Sequence, residues 1–243
     1  IDNGYTPSSI IEDMPITIDP GGGQEPWTPK NFGGEATGPH TLRYGIQWSK
    51  NLMTVRLARE VGMPLVAEYA RRFGIYDDLP PLLPMSLGAG ETTVLRMVTA
   101  YSILANGGRR IKPTLIDRIQ DRTGTTIYRH DDRECIGCNA DAWTGQDEPK
   151  LVDKREQVLD PLTAYQMVSI LEGVVQRGTA ARLKTWTGNR PIAGKTGTTN
   201  DAKDLWFVGF SSDLAVGLYL GYDKPRSMGD SAQAGHYAAP IFG

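Results

Sequence analysis

No stretch of the chain reaches 18 consecutive apolar residues, so nothing in it reads as a membrane-spanning helix. Neither sign of charge is in excess. The 26 Lys and Arg against 28 Asp and Glu leave a formal net charge of −2, and with it no basic footprint for nucleic acid. Cysteine is scarce, two in 243 residues, so the fold does not rest on disulfides; a chain of this length buries its own core. An initiator Met and a signal-like segment are absent at Ile1. The expectation is a processed or excised piece of a longer protein, whose membrane attachment the missing anchor leaves open. The remaining balance is ordinary for a globular protein, 40% apolar and 22% charged, and the length suits one large domain or two small ones.

The two cysteines, Cys135 and Cys138, stand as C-x-x-C with His130 upstream. A closed structural zinc site takes four ligands, and no βαβ pattern surrounds the pair as in a thiol redox motif. The residues read as a small disulfide clip or as two free thiols in a polar loop. A disulfide there requires an oxidising compartment. Neither a metal nor a cofactor is expected.

Residues 1–48 are rich in Gly, Pro and Thr, with runs at Gly21-Gly22-Gly23 and Gly33-Gly34, and read as loops and short strands. Helical spacing begins at Leu52, Val55, Ala58 and Val61, stopped by Gly62. Leu65, Val66, Tyr69, Ala70 and Phe73 mark a second helix closed by Gly74. Val94, Leu95, Val98, Ser102 and Ala105 mark a third, closed by Asn106-Gly107-Gly108. Residues 49–106 therefore read as a helical subdomain. A hairpin is predicted from Leu115–Gln120 and Thr125–Tyr128 around Arg122-Thr123-Gly124. Residues 130–156 read as a polar surface insertion. Asp160-Pro161 opens a further helix, with Leu162, Tyr165, Val168, Leu171 and Val175 as its apolar face. Three strand-like runs follow, Pro191–Thr199, Leu205–Phe210 and Leu214–Tyr222, with short connections that suit antiparallel neighbours. Helices before a terminal antiparallel run predict an α+β fold, an antiparallel sheet flanked by helices.

Two short motifs carry chemistry. Lys195-Thr196-Gly197-Thr198-Thr199 lies inside a strand candidate, where Gly is normally a weakness. It makes sense there if a ligand backbone lies against the strand, with Lys195 presenting a fixed positive charge to a carboxylate and the hydroxyls of Thr196 and Thr198 beside it. The bland alternative is a solvent-facing strand, since short motifs often match by chance. Ser49-Lys50-Asn51 lies directly before the first predicted helix. Ser49 reads as an N-cap, worth about 1 kcal/mol. It also reads as a hydroxyl aimed into a cleft to relay a proton, with the Asn51 amide to hold a carbonyl.

Taken together and in this order, S-x-N on the helical part and K-T-G on a later strand resemble two of the three signatures of penicillin-recognising serine enzymes. The resemblance extends along nearly the whole chain except 130–156. Asn3–Ser8, the W-x-P-x-N-like Pro26–Asn31, Ser86–Glu91, Ala100–Gly108, Arg177-Gly178-Thr179-Ala180, Asp204–Phe210 and Gly221-Tyr222-Asp223 are all similar to segments of class A (bifunctional) penicillin-binding proteins. The resemblance implies a β-lactamase/transpeptidase-like domain over 1–243, cross-linking peptidoglycan stem peptides by acyl transfer from D-Ala-D-Ala and trapped by β-lactams. It implies Ser49, Asn51 and Lys195 as catalytic, and Thr196, Gly197, Thr198 and Thr199 as substrate-binding. It also implies a parent anchored at the periplasmic face of the bacterial inner membrane, with a glycosyltransferase domain.

The third signature is missing: no serine in the chain has Lys three residues on. In the family the nucleophile lies shortly upstream of the segment matching Asn3–Pro7, so the expectation is a chain that begins just after it, ends short of the domain's C-terminal end, and is inert alone. A D,D-carboxypeptidase or a serine β-lactamase shares the motif residues and is disfavoured only by the class A-like segments. A non-enzymatic binding or scaffolding module is the alternative of a different kind.

Overall fold

The computed structural model describes residues 1, 3–19, 21, 23, 25–138 and 140–243; Gly22 of the glycine run lies outside them. The first 48 residues hold more regular structure than their composition predicts. β1 (Ile10–Asp13) pairs antiparallel with β2 (Gly38–Thr41), Ile10 opposite Thr41 and Asp13 opposite Gly38. The chain then enters a helix that periodicity did not predict, α1 (Leu42–Gln47). Six residues are too few to establish a period. Its local signal is Thr41, whose hydroxyl accepts from the Tyr44 N–H as an N-cap does.

α2 (Asn51–Val61), α3 (Met63–Arg72) and α4 (Val94–Ala105) fall where the apolar spacing placed them, with a 3-10 turn at Leu83–Leu87 before α4. Gly62, at φ 88°, turns the chain from α2 into α3 in a conformation that a side chain would strain. Leu52 and Val55 of α2 form a small core with Ile16, against which Trp27 and Leu87 pack. The predicted hairpin is β3 (Arg118–Gln120) with β4 (Thr126–Arg129), every residue exposed. Within 130–156 the only ladder among the described residues joins β5 (Cys135–Ile136) to β6 (Lys150–Leu151). Cys135 and Cys138 are bonded to each other, which selects the clip over the free thiols. Arg155 ties this segment to the end of α4, donating to Asn106 Oδ1 at 3.0 Å.

α5 (Pro161–Gln176) is capped as predicted, the Asp160 carboxylate accepting from the N–H groups of Leu162 and Thr163. Its predicted apolar face holds at Val168, Leu171 and Val175, which lie in or against the main core, and is corrected at its first two residues. Leu162 and Tyr165 are each 73% exposed, while Ala164, Ile170, Leu171, Val174 and Val175 are buried. The helix is apolar on most sides, so its periodicity does not choose a face; the neighbours do.

After the short α6 (Lys184–Thr187), β7 (Ala193–Thr198), β8 (Asp204–Phe210) and β9 (Ala215–Gly221) form an antiparallel sheet in that order, and α7 (Ala238–Phe242) follows. Lys195, Val208 and Gly217 stand in one row across it, and Gly197, Trp206 and Tyr219 in the next on the same face. Val94 and Val98 of α4 crowd the space where Gly217 would carry a Cβ, so α4 packs on that face. The last helix of the predicted 49–106 subdomain is thus part of the sheet layer. On the opposite face the fully buried Phe207 meets Phe242 of α7 edge-on, 5.1 Å between ring centres. Leu171, Val174, Leu183, Leu205, Phe207 and Ala238 lie in the main core.

Phe207→Ala should lower the unfolding free energy by about 3–5 kcal/mol, whereas Leu162→Ala should change it by no more than about 0.5 kcal/mol, both read from urea midpoints. Equal losses at the two positions would restore the predicted face of α5.

Candidate active site

Ser49 and Lys195 meet across 146 positions of sequence: the Lys195 ammonium donates to Ser49 Oγ at 2.7 Å and to its neighbour's carbonyl, Thr196 O, at 3.0 Å. Lys195 reaches from β7, and Ser49 sits in the turn between α1 and α2. The N-cap reading of Ser49 is corrected here. Ser49 has φ 56°, a left-handed conformation that is uncommon outside glycine. The residue at the cap position of α2 is Lys50, which makes no side-chain cap bond. The Ser49 hydroxyl therefore faces the sheet.

The cap comes from elsewhere in the chain. Asn31 Oδ1 accepts from the Leu52 N–H at 3.2 Å, in the first turn of α2. Asn31 Nδ2 donates to Asp13 Oδ1 at 2.6 Å and to Glu35 O at 2.8 Å. The Asn51 amide donates to Lys30 O at 2.9 Å, so one of its N–H groups holds the turn against the 30–31 segment. Asp13, with no exposed surface, also accepts from Thr37 N at 3.0 Å and Thr37 Oγ1 at 2.7 Å, and pairs with Lys50 Nζ at 3.2 Å. Burial alone would raise the Asp13 pKa; the donors Asn31, Thr37 and Lys50 outweigh it and hold the carboxyl below its ordinary value.

The strand side is fixed by the Arg177–Ala180 loop. Thr179 N–H donates to Gln47 O at 3.2 Å, and the Thr179 and Thr196 hydroxyls lie 2.7 Å apart. A Cβ at Gly178 would overlap the Gln47 carbonyl, so only glycine lets this loop lie against the end of α1. Thr198 Oγ1 accepts from Ala234 N–H at 3.1 Å, which leaves its own proton to donate. Gly197 has Trp206 beside it, with Trp206 Cβ 3.3 Å from where a glycine Cβ would be. Thr199 lies past the strand: its hydroxyl accepts from Asp204 N–H at 2.8 Å and closes the turn into β8.

The structure thus brings Ser49, Lys195 and Thr196 together, keeps Asn51 at the foot of the same turn, and gives Thr199 a turn-closing bond. The motif reading missed Asp13 and Thr37, and noted Asn31 only as the end of the W-x-P-x-N-like segment, with no role in the site. Asp13 had one usable signal, an acidic residue at an inward-facing strand position.

An antiparallel sheet between helices, with a K-T-G strand meeting an S-x-N turn, defines a β-lactamase/transpeptidase-like domain. The whole chain, residues 1–243, matches the family described as penicillin binding protein transpeptidase domain, and the chain belongs to that family. Penicillin-binding protein 1A of Rickettsia bellii (strain RML369-C) is 45% identical over 245 residues, all of this chain and 31% of that protein. Penicillin-binding protein 1A of Neisseria gonorrhoeae is 41% identical, with 28% of its length covered. The chain thus spans about a third of the curated relatives it matches, 31% of the Rickettsia bellii protein. The crystal structure of penicillin-binding protein 1A from Haemophilus influenzae superposes with a TM-score of 0.84 at 32% identity, covering 98% of this chain and 38% of that one. The penicillin-binding protein PonA1 from Mycobacterium tuberculosis shares the fold, with a TM-score of 0.77 at 21% identity over 99% of this chain and 63% of that one.

Burial pushes the Lys195 pKa down from 10.5 to about 8. The unfolded chain therefore holds this proton where the folded chain has released it, and stability rises with pH between those two values. Relative to Lys195→Met, the parent should gain stability as pH rises from about 8 to 10.5 and hold a constant difference below that window. Denaturant midpoints at stepped pH measure this; a flat difference across the window would mean that the ammonium is not desolvated.

Proposed function

We propose that this chain forms the substrate-binding and proton-transfer walls of a D,D-transpeptidase site that cross-links peptidoglycan stem peptides, and that the acylated serine comes from outside these 243 residues in the longer protein. The observation that carries the reading is the 2.7 Å bond from Lys195 Nζ to Ser49 Oγ. It spends a Ser49 lone pair on the ammonium and so turns the Ser49 O–H outward, towards a leaving group.

The serine attacks the carbonyl between the two D-alanines, and the oxyanion is received by its own N–H and that of Thr198. The terminal carboxylate lies on the Lys195 ammonium, with Thr196 and Thr198 as hydroxyl partners. β7 is an edge strand among the described residues, and its outer side can take an extended peptide by backbone pairing. The proton that the attacking serine loses is relayed to Ser49 as Ser49 passes its own to the departing D-alanine nitrogen and the C–N bond breaks. Asn51 steadies the donor side-chain amide. An amine from a second stem peptide then attacks the acyl-enzyme, forming the cross-link and releasing the serine. A β-lactam presents the same carboxylate and carbonyl but leaves the acyl form standing.

The same reading places the longer protein on a membrane anchor at the periplasmic face, joined to a glycosyltransferase domain. The Cys135–Cys138 disulfide supports an oxidising compartment. Among the described residues no helix is long and apolar enough to cross a membrane.

Acylation by a fluorescent penicillin tests the proposal. The longer protein should label covalently, the 243-residue chain alone should not, and Ser49→Ala in the longer protein should slow labelling by about 100-fold or more. A folded longer protein that never labels would leave a carboxylate-binding or scaffolding module instead.

A further inference from the structure

Asp13 is the one fully buried carboxylate among the described residues, and none of the roles assigned above uses it. It ends β1 at a position where strand alternation calls for a core residue, as at Ile11. A buried charge is tolerated when every lone pair is matched. Here the matching groups all belong to the scaffold of one turn. Lys50, at 3.2 Å, is the residue between Ser49 and Asn51. Asn31, at 2.6 Å, is also the group that caps the first turn of α2. Thr37 supplies two donors from the segment leading into β2.

Ser49 itself is held by its N–H on Ile46 O at 3.2 Å and by the Lys195 ammonium on its hydroxyl at 2.7 Å. Its φ of 56° is a strained conformation for serine, and strain of that kind persists only where the surroundings over-determine it. The next residue is fixed at both ends: Lys50 N–H is held by Gly45 O at 2.8 Å and the Lys50 ammonium by Asp13. We infer that Asp13 is a positioning residue for acyl transfer, locking through Lys50 and Asn31 the turn that aims Ser49 at Lys195. A neutral Asp13 leaves an unmatched ammonium next to Ser49, free to compete with Lys195 for its hydroxyl.

The inference rests on the transpeptidase reading, and one experiment separates the two. Penicillin acylation of the longer protein is followed by stopped flow, so that the non-covalent binding constant and the acylation rate constant are obtained separately. In Asp13→Asn the rate constant should fall about 10- to 100-fold, the range a sub-ångström to 1 Å misplacement produces, while the binding constant moves by less than about twofold. Lys50→Gln should show the same split. The double variant should be no slower than the slower single one, because both remove the same lock. A structural role alone would lower the fraction of protein that labels and leave the rate constant of that fraction unchanged. That result, or additive losses in the double variant, overturns the inference and leaves the transpeptidase reading standing. Should Asp13→Asn fail to fold, Lys50→Gln decides by the same two constants. A folded parent that does not label overturns both.

Discussion

A carboxylate that water does not reach must be matched within the protein, and matching Asp13 draws three separated stretches into one place. The end of β1 provides the charge, the segment through Asn31 to Thr37 wraps it with donors, and the turn at Lys50 supplies the cation. Much of the local architecture follows from this. Asn31 uses its other amide atom to cap α2, and Asn51 returns a bond to Lys30, so the loop and the helix each terminate the other. Trp27, a few residues before Asn31, packs against the small core that Leu52 and Val55 form with Ile16. The proline- and glycine-rich beginning of the chain is therefore the bed on which the S-x-N turn rests.

The K-T-G strand is attached to the same turn by a second, independent route. Gln47, at the end of α1, is buried and offers its carbonyl to Thr179, and Thr179 in turn touches Thr196. Gly178 makes that approach sterically possible, and Gly235 does the same on the other side of Thr179, where a Cβ would overlap the Thr179 carbonyl. The distance between Ser49 and Lys195 is thus set by a backbone bond from Thr179 to Gln47 and a short hydroxyl contact from Thr179 to Thr196. It does not depend on two long side chains finding each other, which fits a site needing sub-ångström placement.

The sheet and most of the helices were legible because their signals are local and repetitive: β7 to β9, α2 to α4 and the Asp160 cap of α5 follow from spacing and capping chemistry. Where the sequence misled, the deciding partner lay far along the chain. The buried face of α5 is selected by β7, α1 and α4, which pack on it, since Leu162 is as apolar as Leu171. Ser49 has the composition of an N-cap, and only its positive φ, imposed by the packing around Lys50, takes it off that duty. Lys195 and Ser49 were readable as motif residues, whereas their supports were not. Asp13 to Lys50 is a pairing of two common residue types with no fixed spacing, and Asn31, visible as the end of the W-x-P-x-N-like segment, carried no sign of what it would bond.

The contact between Ser49 and Lys195 spans 146 positions, and those of Arg43 with Ser169 and Gln47 with Arg177 span 126 and 130. Contacts closed over such lengths carry a large loop-closure entropy and raise the contact order, which slows folding. During synthesis the turn at Ser49 emerges long before β7 and has nothing to face. The cleft comes into being only when the strand that carries Lys195 has folded back onto the turn at Ser49.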